Sequence, residues 1–268
     1  MEYDPIKRSL GKVFSRTPLL RVLFYKLLDL LLLRTWHVKK EIREWSRGHS
    51  GPTTILDAGM GFGQYSYFLS GFNKEWKVKG VDVKEEQIAD CKAFFGKIGR
   101  TNASFALADL TTFGEPLTYD FILSVDVMEH ILDDTTVFRN FHESLREGGM
   151  VLISTPSDQG GSDVHEHDEG SFIGEHVRDG YNMQEIQDKL RTSGFSRTEA
   201  NYQYGKPGQI SWRLSMKYPI QMLGVSKLFF FLLPFYYIIT FPLSLLLNYA
   251  DVKGKHSTGT GLIVKAWK

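Results

Sequence analysis

The feature that most constrains the fold is a glycine-rich turn that follows an apolar stretch at residues 53–57. Glycine occupies every second position of this turn, at Gly59, Gly61 and Gly63. Glycine adopts backbone conformations closed to other residues, so a ligand can lie against the main chain while the next helix points its amino terminus at it. The spacing is G-x-G-x-G, which differs from the G-x-G-x-x-G spacing of dinucleotide sites.

A second acidic position supports a nucleotide-like ligand. Asp82 ends the next apolar stretch, 19 residues after Gly63. A carboxylate at the end of this strand can bind both hydroxyls of a ribose in an α/β sheet. The turn and the acid together predict a site for a ligand that carries a ribose.

Strand and helix patterns alternate along the middle of the chain. We predict strands near 53–57, 77–82, 103–107, 119–124 and 149–154, and helices near 64–71, 85–96, 132–146 and 182–193. This alternation is typical of a parallel sheet with helices on both faces, whose ligands bind at the carboxyl ends of the strands. The residues expected at those ends are Gly59, Asp82, Asp109, Ser124 and Thr155.

Five ordered motifs resemble those of the class I S-adenosylmethionine (SAM)-dependent methyltransferases. They lie at 57–63, 82, 108–110, 119–124 and 145–149, and the resemblance covers residues 53–204 and a final strand at 260–267. It implies a Rossmann-like, doubly wound α/β sheet of seven strands with the last strand antiparallel. Beyond this core we also predict N-terminal helices and an apolar helical insert before the last strand.

We expect four segments along the chain. They are N-terminal basic amphipathic helices at 1–50, a SAM-binding core at 51–205, the apolar insert at 206–256, and the final strand of the core sheet at 257–268.

The resemblance implies which residues bind SAM. The glycine turn would contact the methionine half, Asp82 the ribose, and Asp109 with Leu110 the adenine, while Asp57 would orient the turn or bind the ammonium. The full set is Asp57, Gly59, Met60, Gly61, Gly63, Asp82, Val83, Asp109, Leu110 and Ser124. The alternatives are an ordinary tight turn for the glycines and a helix cap for Asp109.

The acceptor side is predicted just after the fourth strand. Asp126, Glu129 and His130 stand at i, i+3 and i+4, so all three share one helical face. The stretch resembles the E-x-x-E-H motif of the O-methyltransferases of ubiquinone biosynthesis, in which these residues hold a divalent ion. Asp126 is shorter than the Glu of that motif, so these residues form only a weak candidate metal site. A base or acceptor-orienting role for His130 and a structural role remain open.

The connection at 156–181 contributes further candidates. His176 is a candidate base for an acceptor hydroxyl, and Arg178 is a candidate ligand for a phosphate or carboxylate. The alternative is that His176 and Tyr181 only pack and that Arg178 is solvated. His165 and His167 lack the remaining ligands of a zinc site. The predicted catalytic set is therefore His130, His176, Glu129 and Tyr181.

An apolar insert and a basic N-terminal segment indicate a membrane surface. Residues 228–250 are 23 consecutive residues without a charged side chain, which is long enough to cross a bilayer. A single crossing would separate the final strand from its sheet, and Pro234 and Pro242 favour breaks. We therefore expect a broken helical hairpin in the membrane interface. Residues 1–50 hold 11 Lys or Arg and 5 Asp or Glu, a balance that attracts an anionic surface.

These features predict a SAM-dependent methyltransferase. Its acceptor would be an oxygen of an amphiphilic molecule, either lipid-like or a quinone or isoprenoid precursor, at the cytoplasmic surface of a membrane. We expect no nucleic-acid partner, and a homodimer is possible. The single cysteine, Cys91, fits a reducing compartment. The alternatives are a soluble or protein acceptor with the insert as a lid or dimer interface, and a non-catalytic SAM-binding membrane protein.

Overall fold

The computed structural model describes residues 17–160 and 177–268. The strands are β1 (Thr53–Ala58), β2 (Trp76–Asp82), β3 (Ala103–Leu107), β4 (Tyr119–Val125), β5 (Leu145–Pro156), β6 (Arg197–Gln203) and β7 (Gly261–Trp267). The helices of the body are α1 (Pro18–Leu31), α2 (Leu33–Ser46), α3 (Gln64–Phe72), α4 (Glu85–Lys97), α5 (Asp134–Ser144) and α6 (Met183–Thr192).

The described strands form one sheet in the order β3-β2-β1-β4-β5-β7-β6. All pairings are parallel except those of β7, which runs antiparallel to both β5 and β6. The predicted fold class is confirmed. The register pairs Ala58 with Ser124 and Ala58 with Val81, so the ends of β1, β2 and β4 lie at one edge of the sheet.

The core lies on both faces of the sheet because successive side chains of a strand point in opposite directions. On one face, Leu56 and Ile122 pack with Phe138 of α5. On the other, Ile55 and Phe121 pack with Ile42 of α2. The second N-terminal helix therefore covers a face of the sheet.

The chain after β4 leads into the helix predicted at 132–146, which is present as α5 over Asp134–Ser144. It makes a short 3₁₀ turn at Met128–His130, and α5 begins only after Asp133, whose carboxylate accepts from the Thr136 N–H at 3.2 Å. α5 ends at Ser144 because the chain passes directly into β5. Strand β6 is weakly marked in the sequence because its residues, RTEANYQ, are mostly polar.

The insert before β7 is an antiparallel helical hairpin, here called the apolar hairpin (residues 206–253). Its first arm is α7 (Lys206–Trp212), a π-helical turn (Arg213–Lys217) and α8 (Tyr218–Val225); a 3₁₀ turn (Lys227–Phe231) leads to its second arm, α9 (Leu233–Lys253). The Ser211 hydroxyl donates to Ser244 O at 3.0 Å, and the Tyr236 hydroxyl donates to Leu214 O at 2.7 Å. These bonds fix the antiparallel pairing of the arms.

Candidate cofactor and acceptor site

The glycine turn has the backbone conformation that its sequence predicts. Gly59, Gly61 and Gly63 have φ values of 75°, 52° and 73°, a region that strongly favours glycine. The N–H groups of Gly59 and Met60 donate to Val81 O at 2.9 and 3.0 Å, which ties the turn to β2. A Cβ added at Gly61 would meet only Gln87 Oε1, at 3.6 Å. The turn thus leaves open space in which a ligand can approach the backbone.

Asp82 is fixed at the end of β2 by the backbone around it. One carboxylate oxygen accepts from the Gly61 N–H at 3.0 Å and the other from the Lys84 N–H at 2.9 Å. A carboxylate oxygen has more than one acceptor direction, so both oxygens retain capacity for ribose hydroxyls. Val83, the next residue, is exposed beside it.

Asp57 is buried beneath the turn. Its carboxylate accepts from the Ser66 hydroxyl at 2.6 Å, which connects β1 to α3. Burial raises the pKa of this carboxyl to about 6, and the nearby Asp82 acts in the same direction. Of the two roles predicted for Asp57, these contacts support the orientation of the turn.

Ser124 supplies an independent sign that a ligand fits here. Its hydroxyl is buried at the end of β4, and no hydrogen-bond partner lies near it in the part of the chain that the structure describes. A buried hydroxyl without a partner is costly, and a bound ligand would satisfy it. The positive-φ glycines, the fixed Asp82 carboxylate and this hydroxyl together fit a ribose-bearing cofactor.

The two residues predicted to contact the adenine, Asp109 and Leu110, differ in their burial. Leu110 is buried, whereas Asp109 is exposed. The Asp109 carboxylate accepts from the Thr111 N–H at 2.8 Å and from its hydroxyl at 2.7 Å. These bonds close a local turn at 109–112 in which no helix begins, so Asp109 is not the helix cap considered as its alternative role; Leu110 and the buried Met60 are positioned by the core.

The predicted acceptor segment lies directly against the glycine turn. A Cβ added at Gly59 would come within 2.3 Å of Val127 Cγ2, so Val127 packs onto the turn and places the segment 126–130 beside it. The Asp126 N–H donates to Ser154 O at 2.9 Å, and Asp126 itself has a φ of 51°, uncommon for a residue with a side chain. The fold therefore brings the acidic segment and the cofactor turn together.

Glu129 is the buried acid of this segment. Its carboxylate accepts from the Thr155 hydroxyl at 3.1 Å, and its carbonyl accepts from the Val177 N–H at 3.0 Å. Burial raises the pKa of this carboxyl, while His130 and Arg34 act in the opposite direction. Burial therefore disfavours the charged form of this carboxyl, and its contacts fix its position in the segment.

Arg34 is a site residue that the sequence did not reveal. Its guanidinium pairs with the Asp126 carboxylate, and its backbone N–H donates to the Tyr204 hydroxyl at 3.0 Å. The neighbouring Thr35 hydroxyl lies 3.4 Å from the Tyr65 hydroxyl. The only signal in the sequence was that Arg34 interrupts a run of leucines, which indicates a constrained position but not its partner.

The first N-terminal helix closes over the same turn. The buried Arg21 guanidinium donates to Phe62 O at 2.8 Å and to Asp90 Oδ2 at 2.5 Å. Gln64, the first residue of α3, donates to Asp29 at 2.8 Å. The predicted N-terminal helices are therefore integrated with the cofactor side of the sheet.

One predicted catalytic residue, Tyr181, makes structural contacts with the turn after β4. The Tyr181 hydroxyl is buried, donates to Asp134 Oδ2 at 2.7 Å, and accepts from Arg178 at 2.5 Å. Arg178 also donates to the Ile131 carbonyl at 2.7 Å. Both side chains brace the turn after β4: Tyr181 makes the packing contacts left open as its alternative, and Arg178 is paired with Asp134 and not solvated. His176, Glu175, His165 and His167 lie outside the described residues.

The weak metal candidate does not assemble. Within residues 17–160 and 177–268, no group of three or more His, Cys, Asp or Glu side chains is placed to hold a metal ion. Asp126 is paired with Arg34, and Glu129 is held by Thr155.

A family model described as a methyltransferase domain matches residues 55–149. The match runs from β1 through the glycine turn and β4 into β5. Over this range the chain is similar to methyltransferase domains. The matched range includes the glycine turn, Asp82 and Ser124.

Curated relatives match about half of the chain. A phosphoethanolamine N-methyltransferase of Triticum aestivum is 32% identical over 143 residues, which are 53% of this chain and 27% of that protein. An (S)-coclaurine N-methyltransferase of Thalictrum flavum subsp. glaucum is 26% identical over 125 residues, 47% of this chain and 33% of that protein. The chain thus spans only about a quarter to a third of the length of these relatives.

Solved structures share the fold of the domain. A phosphoethanolamine N-methyltransferase 2 of Haemonchus contortus, in complex with S-adenosyl-L-methionine, has a TM-score of 0.60 at 19% identity and covers 91% of this chain and 60% of that one. A SAM-dependent methyltransferase of Aquifex aeolicus has a TM-score of 0.53 at 20% identity, covering 76% and 95%.

Proposed function

We propose that this chain is a SAM-dependent methyltransferase whose acceptor atom is the nitrogen of a small amine. The observation that carries the proposal is the packing of the acidic segment 126–130 onto the glycine turn, with Val127 against Gly59. Carboxylates beside the methyl donor suit a cationic or hydrogen-bonding amine. The curated relatives that match the domain are named as N-methyltransferases, which supports nitrogen over the oxygen acceptor expected from the sequence.

The cofactor residues prepare the donor. When bound, SAM supplies an electrophilic methyl group on a sulfonium. Asp82 would take the ribose hydroxyls, the glycine turn would lie along the methionine portion, and the Ser124 hydroxyl would gain a partner. Arg21 of α1 holds the turn at Phe62 O and so limits the access of water.

The acceptor residues manage the proton. The amine must attack as a free base, so a proton has to leave the nitrogen before or during formation of the N–C bond as the C–S bond breaks. We assign this proton to Glu129, which Thr155 and Val177 hold in the segment beside the glycine turn, and burial of its carboxyl raises its pKa. Arg34 balances the charge of Asp126 and keeps that carboxylate in position.

We propose further that the acceptor is amphiphilic and is taken at the cytoplasmic surface of a membrane. Tyr204 contacts Arg34 through its hydroxyl and lies two residues before the start of α7. The acceptor side and the base of the apolar hairpin are therefore adjacent. This adjacency supports an acceptor that approaches from an apolar phase.

Transfer of labelled methyl from SAM tests the proposal. The full chain is incubated with phosphoethanolamine, a benzylisoquinoline amine, an extracted phospholipid fraction containing primary amines, and a catechol. We expect label on an amine. Label on the catechol alone would overturn the nitrogen assignment, and SAM binding without transfer to any fraction would leave the non-catalytic alternative.

The variant Glu129→Gln tests the proton role. Glutamine keeps an oxygen for the Thr155 hydroxyl but cannot accept a proton, so we expect kcat to fall roughly 10²- to 10⁴-fold with the SAM dissociation constant unchanged. Thr155→Val is the matched control, because it removes the hydrogen bond that Glu129→Gln keeps and leaves the carboxylate. An equal fall in kcat in Glu129→Gln and Thr155→Val would show that Glu129 only supports the fold.

A further inference from the structure

Helix α9 has its polarity inverted relative to a helix of a soluble protein. The side chains that it buries include Ser244, Asn248 and Asp251, at helical spacing. The opposite face is apolar and exposed and consists of Phe235, Ile238, Ile239, Leu243, Leu246 and Tyr249. Ile239 is 77% exposed, whereas Asn248 is 5% exposed. Soluble helices bury their apolar stripe, while helices in lipid turn polar groups inward.

Helix α1 shows the same inversion at the other end of the chain. Its buried side chains are Arg21 and Tyr25, while Leu19, Leu23, Leu27 and Leu30 form an exposed stripe with spacings of three and four. Leu19 is 80% exposed. Two helices far apart in sequence therefore present leucine-rich or aromatic stripes outward and hold polar groups inward.

The contact between the hairpin arms is also of the kind found between helices in lipid. Gly208 and Ser211 of α7 face α9: the Gly208 N–H donates to Asp251 at 2.9 Å, and the Ser211 hydroxyl donates to Ser244 O at 3.0 Å. Small residues that allow close approach and polar bonds across the interface are the two features that hold helices together where hydrophobic burial gives no advantage.

The α1–α2 junction and the hairpin are in contact near the acceptor side. A Cβ added at Gly208 would lie 2.7 Å from Leu33 Cδ2, so the junction of α1 and α2 packs onto the base of the hairpin. Exposed cations flank this surface, at Lys26 on α1, at Lys206 and Arg213 on the first arm, and at Lys253 at the end of α9. Cations of this kind complement anionic lipid headgroups.

We propose that α1 and the apolar hairpin together form a membrane-inserting surface whose partner is an anionic phospholipid bilayer. Among the described residues, α9 alone is long and apolar enough to cross a bilayer. The hairpin nevertheless enters and returns from one side, because its two ends continue into β6 and β7 of the same sheet. This surface deepens the proposed function by naming the partner beside the acceptor site, and its binding is measured without turnover.

Vesicle flotation of the full chain tests the surface. Vesicles of phosphatidylcholine alone and of phosphatidylcholine with phosphatidylglycerol are compared, and we expect stronger flotation with the anionic lipid. The double variant Ile239→Asn/Leu246→Asn removes apolar area from the exposed stripe, so its partition coefficient is expected to fall at least about tenfold. Both side chains are exposed, so the fold, checked by circular dichroism, is expected to persist.

The matched control is Leu117→Asn/Leu132→Asn, which makes the same kind of change at two exposed leucines outside α1 and the hairpin. We expect it to float like the parent. The proposal is overturned if the Ile239/Leu246 variant floats as strongly as the parent. It is also overturned if the parent binds neither kind of vesicle and elutes as a stable dimer in size-exclusion chromatography. SAM binding in detergent is measured by calorimetry on the same protein. A chain that binds SAM but not vesicles disproves the membrane surface alone and leaves the proposed methyl transfer standing.

Discussion

At the scale of single residues, the site depends on carboxylates whose positions are set by backbone donors. Asp82 accepts from two N–H groups, one of them in the glycine turn, so its orientation and that of the turn are coupled. Asp57 is held instead by a hydroxyl and lies in a buried setting that disfavours its charge. The two acids are close in space but respond differently to substitution and to pH.

Asp82→Ala is expected to weaken SAM binding by roughly ten- to a hundredfold. The variant removes the charged acceptor predicted for the ribose, and hydrogen bonds to charged groups contribute about 1.5–3 kcal/mol. Isothermal titration calorimetry measures the change. The control is Asp120→Ala, which removes a carboxylate that accepts from the Thr54 N–H at the opposite end of the sheet, at 2.7 Å. An Asp82 variant with the dissociation constant of the parent would contradict the ribose role.

Asp57→Asn is expected to change how stability depends on pH. The folded pKa of about 6 lies above the ordinary value of 3.8, so the folded state binds more protons between these values. Stability of the parent therefore falls as pH rises from about 4 to about 6, by on the order of 2–3 kcal/mol from this group. Asp57→Asn has no carboxyl that titrates, so it lacks this fall in stability with pH. The asparagine side-chain oxygen still accepts from the Ser66 hydroxyl.

Chemical unfolding of both ligand-free proteins across this pH range measures the difference. The stability of Asp57→Asn relative to the parent should increase up to about pH 6 and then level off. A difference that does not vary with pH would mean that the Asp57 carboxyl is not perturbed in the folded state.

At the scale of structural elements, the turns after β1 and β4 form a single unit. The first is shaped by its glycines, and the second fills the space that Gly59 leaves with Val127. The sequence predicted the helix over 132–146, which α5 confirms, and placed Asp126, Glu129 and His130 on one helical face before it. The observed 3₁₀ turn at 128–130 arises because contacts with Thr155 and Val177 hold Glu129, and neither contact is visible in a local pattern.

Gly59→Ala is expected to destabilise the protein by about 2–4 kcal/mol. A Cβ there would meet Val127 at 2.3 Å in addition to the strain of a left-handed backbone. Gly148→Ala is a closely matched control, since Gly148 has the same φ of 75° but nothing within 4 Å of the added Cβ. Gly148→Ala is expected to lower the free energy of unfolding by only about 1–2 kcal/mol. Equal losses in urea unfolding would show that the two turns are not packed together.

At the scale of the whole molecule, Asp251 joins the apolar hairpin to the body. Its buried carboxylate accepts from His37 of α2 at 2.8 Å, from the Tyr204 N–H at 3.2 Å and from the Gly208 N–H at 2.9 Å. Tyr204 in turn contacts Arg34 of the acceptor side. One carboxylate thus connects α2, the end of β6 and both arms of the hairpin.

Asp251→Ala is expected to cost about 3–5 kcal/mol of unfolding free energy, because it leaves several buried donors without an acceptor. Urea unfolding in a mild detergent measures this cost. Combination with His37→Ala should give a coupling energy above about 1 kcal/mol, since the two side chains are in contact. Asp188→Ala, at an exposed pair with Arg191, serves as the control and should change stability by less than about 1 kcal/mol.

Local pattern by itself determined the sheet, the cofactor turn and the existence of the insert. Strand alternation and the glycine spacing are short-range properties, because side-chain direction and backbone freedom depend only on neighbouring residues. The same information located Asp82 and Ser124 at the ends of their strands. The seven-stranded architecture with its antiparallel last strand therefore followed from the sequence and its resemblance.

Only the tertiary structure decided which distant side chains meet. The Arg34–Asp126 ion pair and the Tyr181–Asp134 hydrogen bond join residues far apart in sequence. They form because α2 and the segment after β5 pack beside the turn that follows β4. The outward face of α9 was equally hidden, since a uniformly apolar run with a few polar residues does not say which side the body covers. That choice was made by Gly208, Ser211 and His37, whose contacts draw the polar side of α9 inward and leave its apolar side exposed.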